Sequence, residues 1–571
     1  MSRFLSKPVS RFRMVAPTRL LSPQHGLSLR RLTRDRMSQM TRMFVLALLS
    51  AGSGLALLSA AEPAPNAGPP PTDEVFYQIF VRSFRDSDGD RRGDLKGIEE
   101  ELGYLQDLGA TTVLLTPLYR SPFYHSYFAD DFTRVDPAYG NEAGLRHLVK
   151  AIHQRGMRIF LDEEMQYVTG NHEWFRESHE HPGSKYSRYL IYKGPGNTLP
   201  ETGFWGNPEV KTYDAKTVLI ATVNLHEPAV QAYEAGLFAN WMTPTAAGAD
   251  DGVDGFRIDH MQDNLDDHGL LVNLFRGFWA PLFQKLKSAK PELRIVAEQA
   301  DWGYGERWLD PGLADVVFAF PIRQAILSFD KAQLTRAVAE TEQKTPTGKQ
   351  SLIFIENHDT NSFASEVGGD VRKEKVGAAL GLLLKGIPLI YYGQEVGMTG
   401  TALKDSSSDG GDIPRRQAFP WTAQVGPGTA VWYQDSGPWW NQSALATGNS
   451  VSLEEEQRRP DSIFAYYRTL LALRRAQPEL INGNQAIVDN DSAHVFSFIR
   501  CAENHRTLVA INLADTPVTV HLNPVDAAGG AKTRPWSARL ASPAPTEKGK
   551  GWVELTLPAY GVGIYSNFPS H

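Results

Sequence analysis

Residues 253–263 read V-D-G-F-R-I-D-H-M-Q-D, and this stretch decides how the rest of the chain is interpreted. Two apolar residues alternate here with the charged Arg257 and Asp259, which is the period-two pattern of a β-strand. The two charged side chains therefore share one face, where the arginine keeps the carboxylate ionised. An ionised carboxylate at the C-terminal end of a strand suits a nucleophile in a β/α barrel. An arginine–aspartate pair that only closes a strand would give the same pattern.

Two later stretches also end apolar strands on polar side chains. Residues 294–300 read R-I-V-A-E-Q-A and end on Glu298, and residues 351–360 read S-L-I-F-I-E-N-H-D-T and end on His358 and Asp359. Three strands that each deliver a carboxylate at the same end suit the cleavage of a glycosidic bond. One carboxylate attacks, one donates a proton, and the third orients the sugar and stabilises developing charge.

In this order, the motifs G-F-R-I-D-H, V-A-E and E-N-H-D resemble three signature regions of the α-amylase family of retaining glycoside hydrolases, glycoside hydrolase family 13. The resemblance covers the chain from about Glu74 to the C-terminus. It implies that Asp259 is the nucleophile, Glu298 the acid and base, and Asp359 the third catalytic carboxylate. It also implies that Arg257 orients Asp259 and that His358 helps Asp359 to bind the sugar hydroxyls.

Two further segments resemble substrate-binding parts of the same family. Residues 125–132 read H-S-Y-F-A-D-D-F, which implies that His125 hydrogen-bonds the sugar at the cleaved bond and that Tyr127 stacks on it. Ser126 stands where the family usually has glycine. Residues 412–421 read D-I-P-R-R-Q-A-F-P-W, which implies that Arg416 lies near the non-reducing end of the sugar site, although it could also simply brace its loop.

The sequence departs from the family pattern after strand three. The usual D-x-x-x-N-H is absent, because Gln166 and Tyr167 stand four and five residues after Asp162. An N-H pair follows only at Asn171 and His172. Either the first pair replaces the family's residues or a small insertion displaces them. Asp162 is interpreted as structural.

Residues 86–94 read D-S-D-G-D-R-R-G-D, an acidic loop after the first predicted strand. The hard oxygen ligands that a Ca²⁺ loop needs, at close and odd spacing, are offered by Asp86, Asp88, Asp90 and Asp94. The loop resembles the metal-binding loop of the oligo-1,6-glucosidase-like branch of the family, and a solvated acidic turn is the alternative. We expect a structural Ca²⁺ and no organic cofactor.

Strand and helix patterns alternate along the chain, which predicts an α/β fold, a (β/α)8 TIM barrel. An irregular stretch follows strand three, with Phe204 and Trp205 as candidate sugar-stacking residues, and short alternating runs near the C-terminus indicate an antiparallel β-domain. The predicted divisions are an N-terminal extension and signal peptide at 1–61, a linker at 62–73, a barrel at 74–167 and 226–478, an inserted domain B at 168–225, and a C-terminal β-sandwich at 479–571.

Charge is distributed unevenly over the 571 residues. The formal net charge is −7, but residues 1–61 carry ten basic residues and one acid, so the remainder holds 48 basic and 64 acidic residues, a charge of −16. This acidic balance argues against nucleic acid as a partner and is compatible with neutral sugars. No protein partner is implied.

Residues 43–61 read M-F-V-L-A-L-L-S-A-G-S-G-L-A-L-L-S-A-A and follow three arginines, Arg34, Arg36 and Arg42. A basic region, an apolar run and small residues at its end are typical of a secretory signal, here at about 37–61. A membrane anchor is the alternative, although the run is short and interrupted by Gly and Ser. We expect a secreted or periplasmic protein with no membrane attachment after cleavage.

Together with the leader segment, the resemblance to the α-amylase family implies a secreted enzyme that hydrolyses the α-1,4-glucosidic bonds of starch-derived glucans or maltooligosaccharides with retention. The alternatives within the family are a transglycosylase or isomerase that forms trehalose or cyclodextrins and an α-1,6-oligoglucosidase. A non-catalytic sugar-binding barrel would be expected to have a broken catalytic triad, whereas this triad is intact. The sequence leaves the choice between exo- and endo-action open.

Overall fold

A computed structural model describes residues 73–201, 208–243, 252–265, 269–404, 408–441, 445, 451–524, 535–540, 545–549 and 551–567. The predicted signal segment, nearly all of the linker, and the candidates Phe204 and Trp205 lie outside these residues. Of the helices in the part of the chain that is described, none combines the length and the apolar character that crossing a bilayer requires.

Eight parallel strands close into a barrel in which each strand pairs with the next along the chain and the last pairs with the first. They are β1 Phe76–Ile79, β2 Thr112–Leu115, β3 Arg158–Glu163, β4 Gly255–Met261, β5 Arg294–Gln299, β6 Val316–Phe318, β7 Gln350–Ile353 and β8 Ile387–Tyr391. Successive side chains of a strand point to opposite faces, so one apolar layer fills the inside of the barrel and a second lies between the strands and the helices. Phe160 and Phe318 belong to a cluster inside the barrel, whereas Phe256 packs outward on Phe238 of a covering helix.

Helices cover the outside of the barrel. The helices of nine or more residues are Glu142–Gln154, Pro228–Met242, Ala280–Ala289, Phe320–Ser328, Lys331–Lys344, Val371–Leu383 and Ile463–Ala476. The shorter α-helices are Val81–Phe84, Leu95–Glu100, Leu102–Leu108, Glu173–Ser178, Phe363–Glu366, Pro438–Asn441, Leu453–Arg458 and Pro478–Asn482. Residues 300–315 join β5 to β6 through turns, so the predicted eightfold alternation of strands and helices lacks one helix.

Two small sheets stand above the C-terminal ends of the early strands. After β2, Tyr119–Arg120 pairs with Asp131–Val135. After β3 the chain makes the predicted irregular insertion, whose three-stranded antiparallel sheet comprises Tyr167–Thr169, Thr217–Thr222 and Glu209–Lys211. Ala129 bridges to Val168, so the two excursions touch each other over the barrel.

The C-terminal region consists of two antiparallel sheets that enclose an apolar core. The first sheet has the order Asn484–Ile487, Val495–Ala502, His505–Asn512, Val562–Ser566, Ser537–Leu540, and the second the order Val518–Leu522, Trp552–Leu557, Thr546–Gly549. Phe496, Phe498 and Ile511 of the first sheet belong to the main core that also contains the barrel. The predicted fold class, a TIM barrel with an insertion after strand three and a C-terminal antiparallel β-domain, is confirmed.

Candidate active site

The carboxylates at the ends of β3, β4 and β5 meet on one buried arginine. Arg257 is fully buried and donates from Nη1 to Asp162 Oδ1 at 2.7 Å and to Asp259 Oδ1 at 2.5 Å. Its Nη2 donates to Glu298 Oε2 at 2.7 Å. Neighbouring strands of a parallel barrel end at the same rim, so residues far apart in sequence share one cation. Asp162 thus belongs to the same cluster as the two predicted catalytic residues.

Burial and the shared cation act in opposite directions on these carboxyls. Burial raises the pKa of Asp162 to about 7, although Arg257 opposes the rise. Burial likewise raises the pKa values of Asp259 and Glu298, again against the attraction of the guanidinium. A raised pKa is what a proton donor requires, because it must still carry its proton near neutral pH.

Backbone geometry immediately after Asp259 brings β4 and β5 together. His260 has a φ of 45°, in the left-handed region that non-glycine residues rarely adopt. Its backbone N–H donates to Glu298 Oε2 at 3.0 Å, and the register between β4 and β5 shifts at this point. The strained residue therefore contributes a hydrogen bond to the second carboxylate of the site.

Asp359 and His358 lie in the loop after β7, because that strand ends at Ile353 and not at the predicted end of the apolar run. Asp359 Oδ1 accepts from Arg416 Nη2 at 2.8 Å, and its Oδ2 lies 3.1 Å from His358 Nε2. Burial alone would raise the pKa of Asp359, but His358 and Arg416 hold it well below its ordinary value. Asp359 is thus the carboxylate of this site that is most firmly ionised.

Tyr127 connects the carboxylates around Arg257 with the loop that carries His358 and Asp359. Its hydroxyl donates to Asp162 Oδ2 at 2.7 Å and lies 2.7 Å from His358 Nε2, and the two rings stack at 5.4 Å. His125 is buried beside it, with Nδ1 accepting from the Tyr127 N–H at 3.1 Å. Ser126 between them has a φ of 62°, the conformation that glycine adopts without strain. The turn is therefore the one that a glycine would favour.

The structure decides between the two readings of the residues after β3. Gln166 Nε2 donates to the backbone oxygen of Asp259 at 3.1 Å, so Gln166 lies at the site. His172 instead caps the helix Glu173–Ser178, with Nδ1 accepting from Trp174 N at 3.2 Å. Gln166 therefore takes the place beside Asp259, and the later Asn171–His172 pair belongs to the insertion.

Three contributors to the site were missed at the level of sequence. Gln78 on β1 donates its side-chain amide to His358 Nδ1 at 3.1 Å, and Tyr124 Oη accepts from Arg416 Nη1 at 2.9 Å. Glu164 lies buried against Asp259. The sequence did contain a signal for Glu164. This residue follows Asp162 by two positions, so on an extended chain the two side chains lie on the same side.

The acidic loop gathers three of its four predicted ligands. Single carboxylate oxygens of Asp86, Asp88 and Asp94 lie within 4.8 Å of one another. Asp90 lies outside this group and pairs with Arg92 at 3.0 Å. Hard carboxylate oxygens are the donors that Ca²⁺ prefers, so the three residues fit this ion in kind.

Comparison with known proteins gives one consistent family. The model of the α-amylase catalytic domain matches residues 78–483. "Alpha-amylase 3" of Dictyoglomus thermophilum is 28% identical over 79% of this chain and 86% of its own length. "Probable oligo-1,6-glucosidase 2" of Bacillus subtilis is 26% identical over 77% of this chain and 90% of its own. The crystal structure of α-amylase from H. orenii superimposes with a TM-score of 0.71 at 25% identity, covering 86% of this chain and 99% of that one.

Proposed function

The chain belongs to the α-amylase family of glycoside hydrolases and is an enzyme of the glycosidase type, and on this premise we propose that it hydrolyses α-1,4-glucosidic bonds with retention of configuration. The proposed substrates are maltooligosaccharides or starch-derived glucans. The observation that carries the proposal is the convergence of Asp259 and Glu298 on the guanidinium of Arg257, with the ionised Asp359 in the adjoining loop.

In the first half of the proposed reaction, an Asp259 carboxylate oxygen forms a bond to the anomeric carbon while the bond to the leaving sugar breaks. Glu298 gives its proton to the leaving oxygen. Asp259 Oδ1 and Glu298 Oε2 accept hydrogen bonds from the two terminal nitrogens of the same guanidinium, so the two carboxyls are held close together. This spacing supports the retaining geometry, with carboxyls about 5 Å apart, over the wider inverting one.

In the second half, Glu298 takes a proton from water as the water oxygen attacks the anomeric carbon. The electron pair of the broken ester bond returns to Asp259, whose charge Arg257 stabilises. Glu298 Oε2 is already engaged by Arg257 and by the His260 N–H. The proton is therefore assigned to Oε1 in both halves of the reaction.

The groups around Asp359 are proposed to bind the sugar. The low pKa of Asp359 keeps a full negative charge near the oxocarbenium-like centre, where developing positive charge is stabilised. The amide of Gln78 donates to His358 Nδ1, which leaves the proton of the neutral ring on Nε2, facing Asp359 and the Tyr127 hydroxyl. His125, Tyr127 and Arg416 complete the proposed sugar subsite.

The experiment that tests this function is product analysis with maltoheptaose for the wild type and for Asp259→Ala. We expect short linear maltooligosaccharides from the wild type and a loss of activity of about 10⁴-fold or more in the variant, since the nucleophile is removed. Longer, cyclic or trehalose-type products would assign the enzyme to the transglycosylases and isomerases. No turnover by the wild type would contradict the α-1,4 preference and direct the test to α-1,6-linked substrates.

The α-1,6 and transfer alternatives have one specific support each. The Bacillus subtilis relative is named as an oligo-1,6-glucosidase, and a Thermotoga maritima protein 27% identical over 69% of this chain is named 4-alpha-glucanotransferase. Hydrolysis and transfer share the glycosyl-enzyme on Asp259 and differ in whether water or a sugar hydroxyl accepts the glycosyl group. The three catalytic carboxylates are therefore common to all of these proposals.

Calcium and export are further proposals. We propose that Asp86, Asp88 and Asp94 hold a structural Ca²⁺, with no part in the chemistry. The basic and apolar leader before residue 62 supports export through a cleaved signal peptide. Both proposals are independent of the bond that the enzyme cleaves.

A further inference from the structure

Glu164 is a buried acid that the proposed reaction does not use. It follows the end of β3, is 2% exposed, and its carboxyl interacts with the carboxyl of Asp259. Its neighbour Glu163 has the opposite orientation and faces Glu234 on the helix Pro228–Met242. Adjacent acids on one extended segment thus have different surroundings, one at the nucleophile and one outside the barrel.

Gln166 fixes the position of Glu164. The Gln166 backbone N–H donates to Glu164 Oε1, and its Nε2 donates to Glu164 Oε2 at 3.0 Å. The same Nε2 lies 3.1 Å from the backbone oxygen of Asp259, so one amide connects both residues. No lysine or arginine is hydrogen-bonded to Glu164 within the part of the chain that the structure describes. Among the described residues, the Glu164 carboxyl therefore lies against Asp259 with no hydrogen bond from a cationic side chain.

Two buried carboxyls in contact cannot both be ionised at a modest cost, so such a pair holds one proton. Arg257 Nη1 donates to Asp259 Oδ1, which favours the charge on Asp259 and leaves the proton on Glu164. We propose that Glu164 is a positioning residue that retains its proton and donates a hydrogen bond to Asp259, orienting and stabilising the nucleophile. This inference rests on the proposed role of Asp259.

The charges around the pair agree with this assignment. Burial and the charge of Asp259 raise the pKa of Glu164 well above its ordinary value. Besides Glu164, the ionisable groups that interact with the Asp259 carboxylate are Arg257 on the same strand and Tyr127, Asp162, Glu298 and Asp359 on other elements. Most of them are acidic, so a second negative charge on Glu164 would add to the repulsion. The active state should therefore be lost at the pH at which Glu164 ionises.

The hydrogen bond would act twice in each turnover. It steadies the negative charge of Asp259 before attack, and it again stabilises that charge when the bond to the anomeric carbon breaks in the second half. The proton stays on Glu164 in both steps, so Glu298 remains the only acid and base of the mechanism. Glu164 therefore affects the rate through Asp259 alone.

The test is the pH dependence of kcat/KM with α-maltosyl fluoride for the wild type, Glu164→Gln, Glu164→Leu and the matched control Glu163→Gln. Fluoride leaves without protonation, so the alkaline limb of kcat/KM reports the surroundings of the nucleophile and not the acid Glu298. Glutamine donates an N–H at every pH, so we expect Glu164→Gln to move the alkaline limb up by about one pH unit. Glu164→Leu removes the donor and should lower kcat by roughly 10- to 100-fold with little change in KM.

Glu163→Gln should leave the profile and kcat unchanged, because Glu163 is equally buried but faces the outer helix. An unshifted alkaline limb in Glu164→Gln, or the same shift in Glu163→Gln, would overturn the inference. Melting temperatures of all four proteins separate a loss of folding from a loss of function. If the wild type itself turned over no α-glycosyl fluoride, the proposed function would fail, which is a different outcome from an unshifted limb in an active enzyme.

Discussion

At the scale of single residues, burial and the cation of Arg257 together determine how readily three carboxyls of the site ionise. Arg257 donates to Asp162, Asp259 and Glu298, so one cation lies among three acids. Such a cluster retains at least one proton when buried, because the single positive charge cannot offset three negative ones. The raised pKa of Glu298 suits its proposed role as proton donor, whereas the low pKa of Asp359 keeps that carboxylate ionised.

The proposed role of Glu298 as the acid predicts a defect that depends on the substrate. Glu298→Gln should lower kcat/KM for maltoheptaose by roughly 10²- to 10⁴-fold, because the leaving sugar oxygen is no longer protonated. The same variant should lose much less in kcat/KM for α-maltosyl fluoride, whose leaving group needs no proton. Steady-state kinetics with the two substrates makes the comparison. Equal losses on both substrates would contradict a role as general acid.

At the scale of elements, the outer face of β3 carries an acidic pair that no catalytic role explains. Both oxygens of Glu234, on the helix Pro228–Met242, and one oxygen of Glu163 are buried without a hydrogen-bond partner in the described part of the chain. Burial raises the pKa values of both acids well above their ordinary range. The contact between strand and helix therefore favours the protonated forms.

This pair predicts that the stability of the fold depends on pH. Between the ordinary and the raised pKa, the folded protein holds a proton that the unfolded chain has released, so stability falls as pH rises, by at most about 1.4 kcal/mol per pH unit for one group. Glu234→Gln should therefore gain melting temperature over the wild type between about pH 5 and pH 8. The exposed Glu292→Gln is the control and should follow the wild type. If the melting temperatures of Glu234→Gln and the wild type changed in parallel with pH, the prediction would be contradicted.

The acidic loop at Asp86 predicts an effect of metal removal. If the loop holds Ca²⁺, chelation should lower the melting temperature of the wild type, since an ion that binds only the folded state stabilises it. Asp88→Asn should lose this calcium dependence. The exposed Asp107→Asn on the helix Leu102–Leu108 should keep it. A melting temperature of the wild type that does not change on chelation would favour the solvated acidic turn.

At the scale of the whole molecule, the C-terminal sheets pack against the outer helices of the barrel, and one of their contacts lies at the end opposite the site. Arg500 of this region is fully buried and donates from Nη1 to Leu383 O at 3.0 Å and from Nη2 to Gly483 O at 3.0 Å. Leu383 ends the helix that precedes β8, which places the contact at the N-terminal ends of the strands. Contacts at that end of a barrel support stability, whereas the chemistry is at the other end.

Arg500→Met should therefore reduce stability without changing the chemistry. The two buried carbonyl oxygens lose their donors, and we expect the free energy of unfolding to fall by about 3 kcal/mol. Urea denaturation measures this loss, and kcat per folded molecule should stay within about twofold of the wild type. Arg468→Met, at an exposed arginine of the helix Ile463–Ala476, should be nearly neutral. A large fall in kcat for Arg500→Met would show coupling between the two ends of the barrel.

Local sequence was sufficient for the barrel and for the candidate carboxylates. The alternation around Arg257 and Asp259 specifies a strand through its side-chain period, and successive strands and helices can bury those faces only in a layered α/β fold. A parallel barrel has all its strand ends at one rim, so three polar residues at such ends predict one site before any contact is known. The omission of the helix between β5 and β6 was not predictable from this rule.

The tertiary structure alone decided the partners of those residues. Gln166, and not the later Asn171–His172 pair, lies at Asp259, because the path of the chain after β3 is set by packing against β4 and the insertion. Glu163 and Glu164 are the same residue type at adjacent positions, yet Glu163 faces a helix and Glu164 faces Asp259. The sequence determined which chemical groups are present and which segments form the strands that carry them, although β7 ends before its predicted end. Burial and distance, which depend on the whole fold, decided which of those groups share a proton.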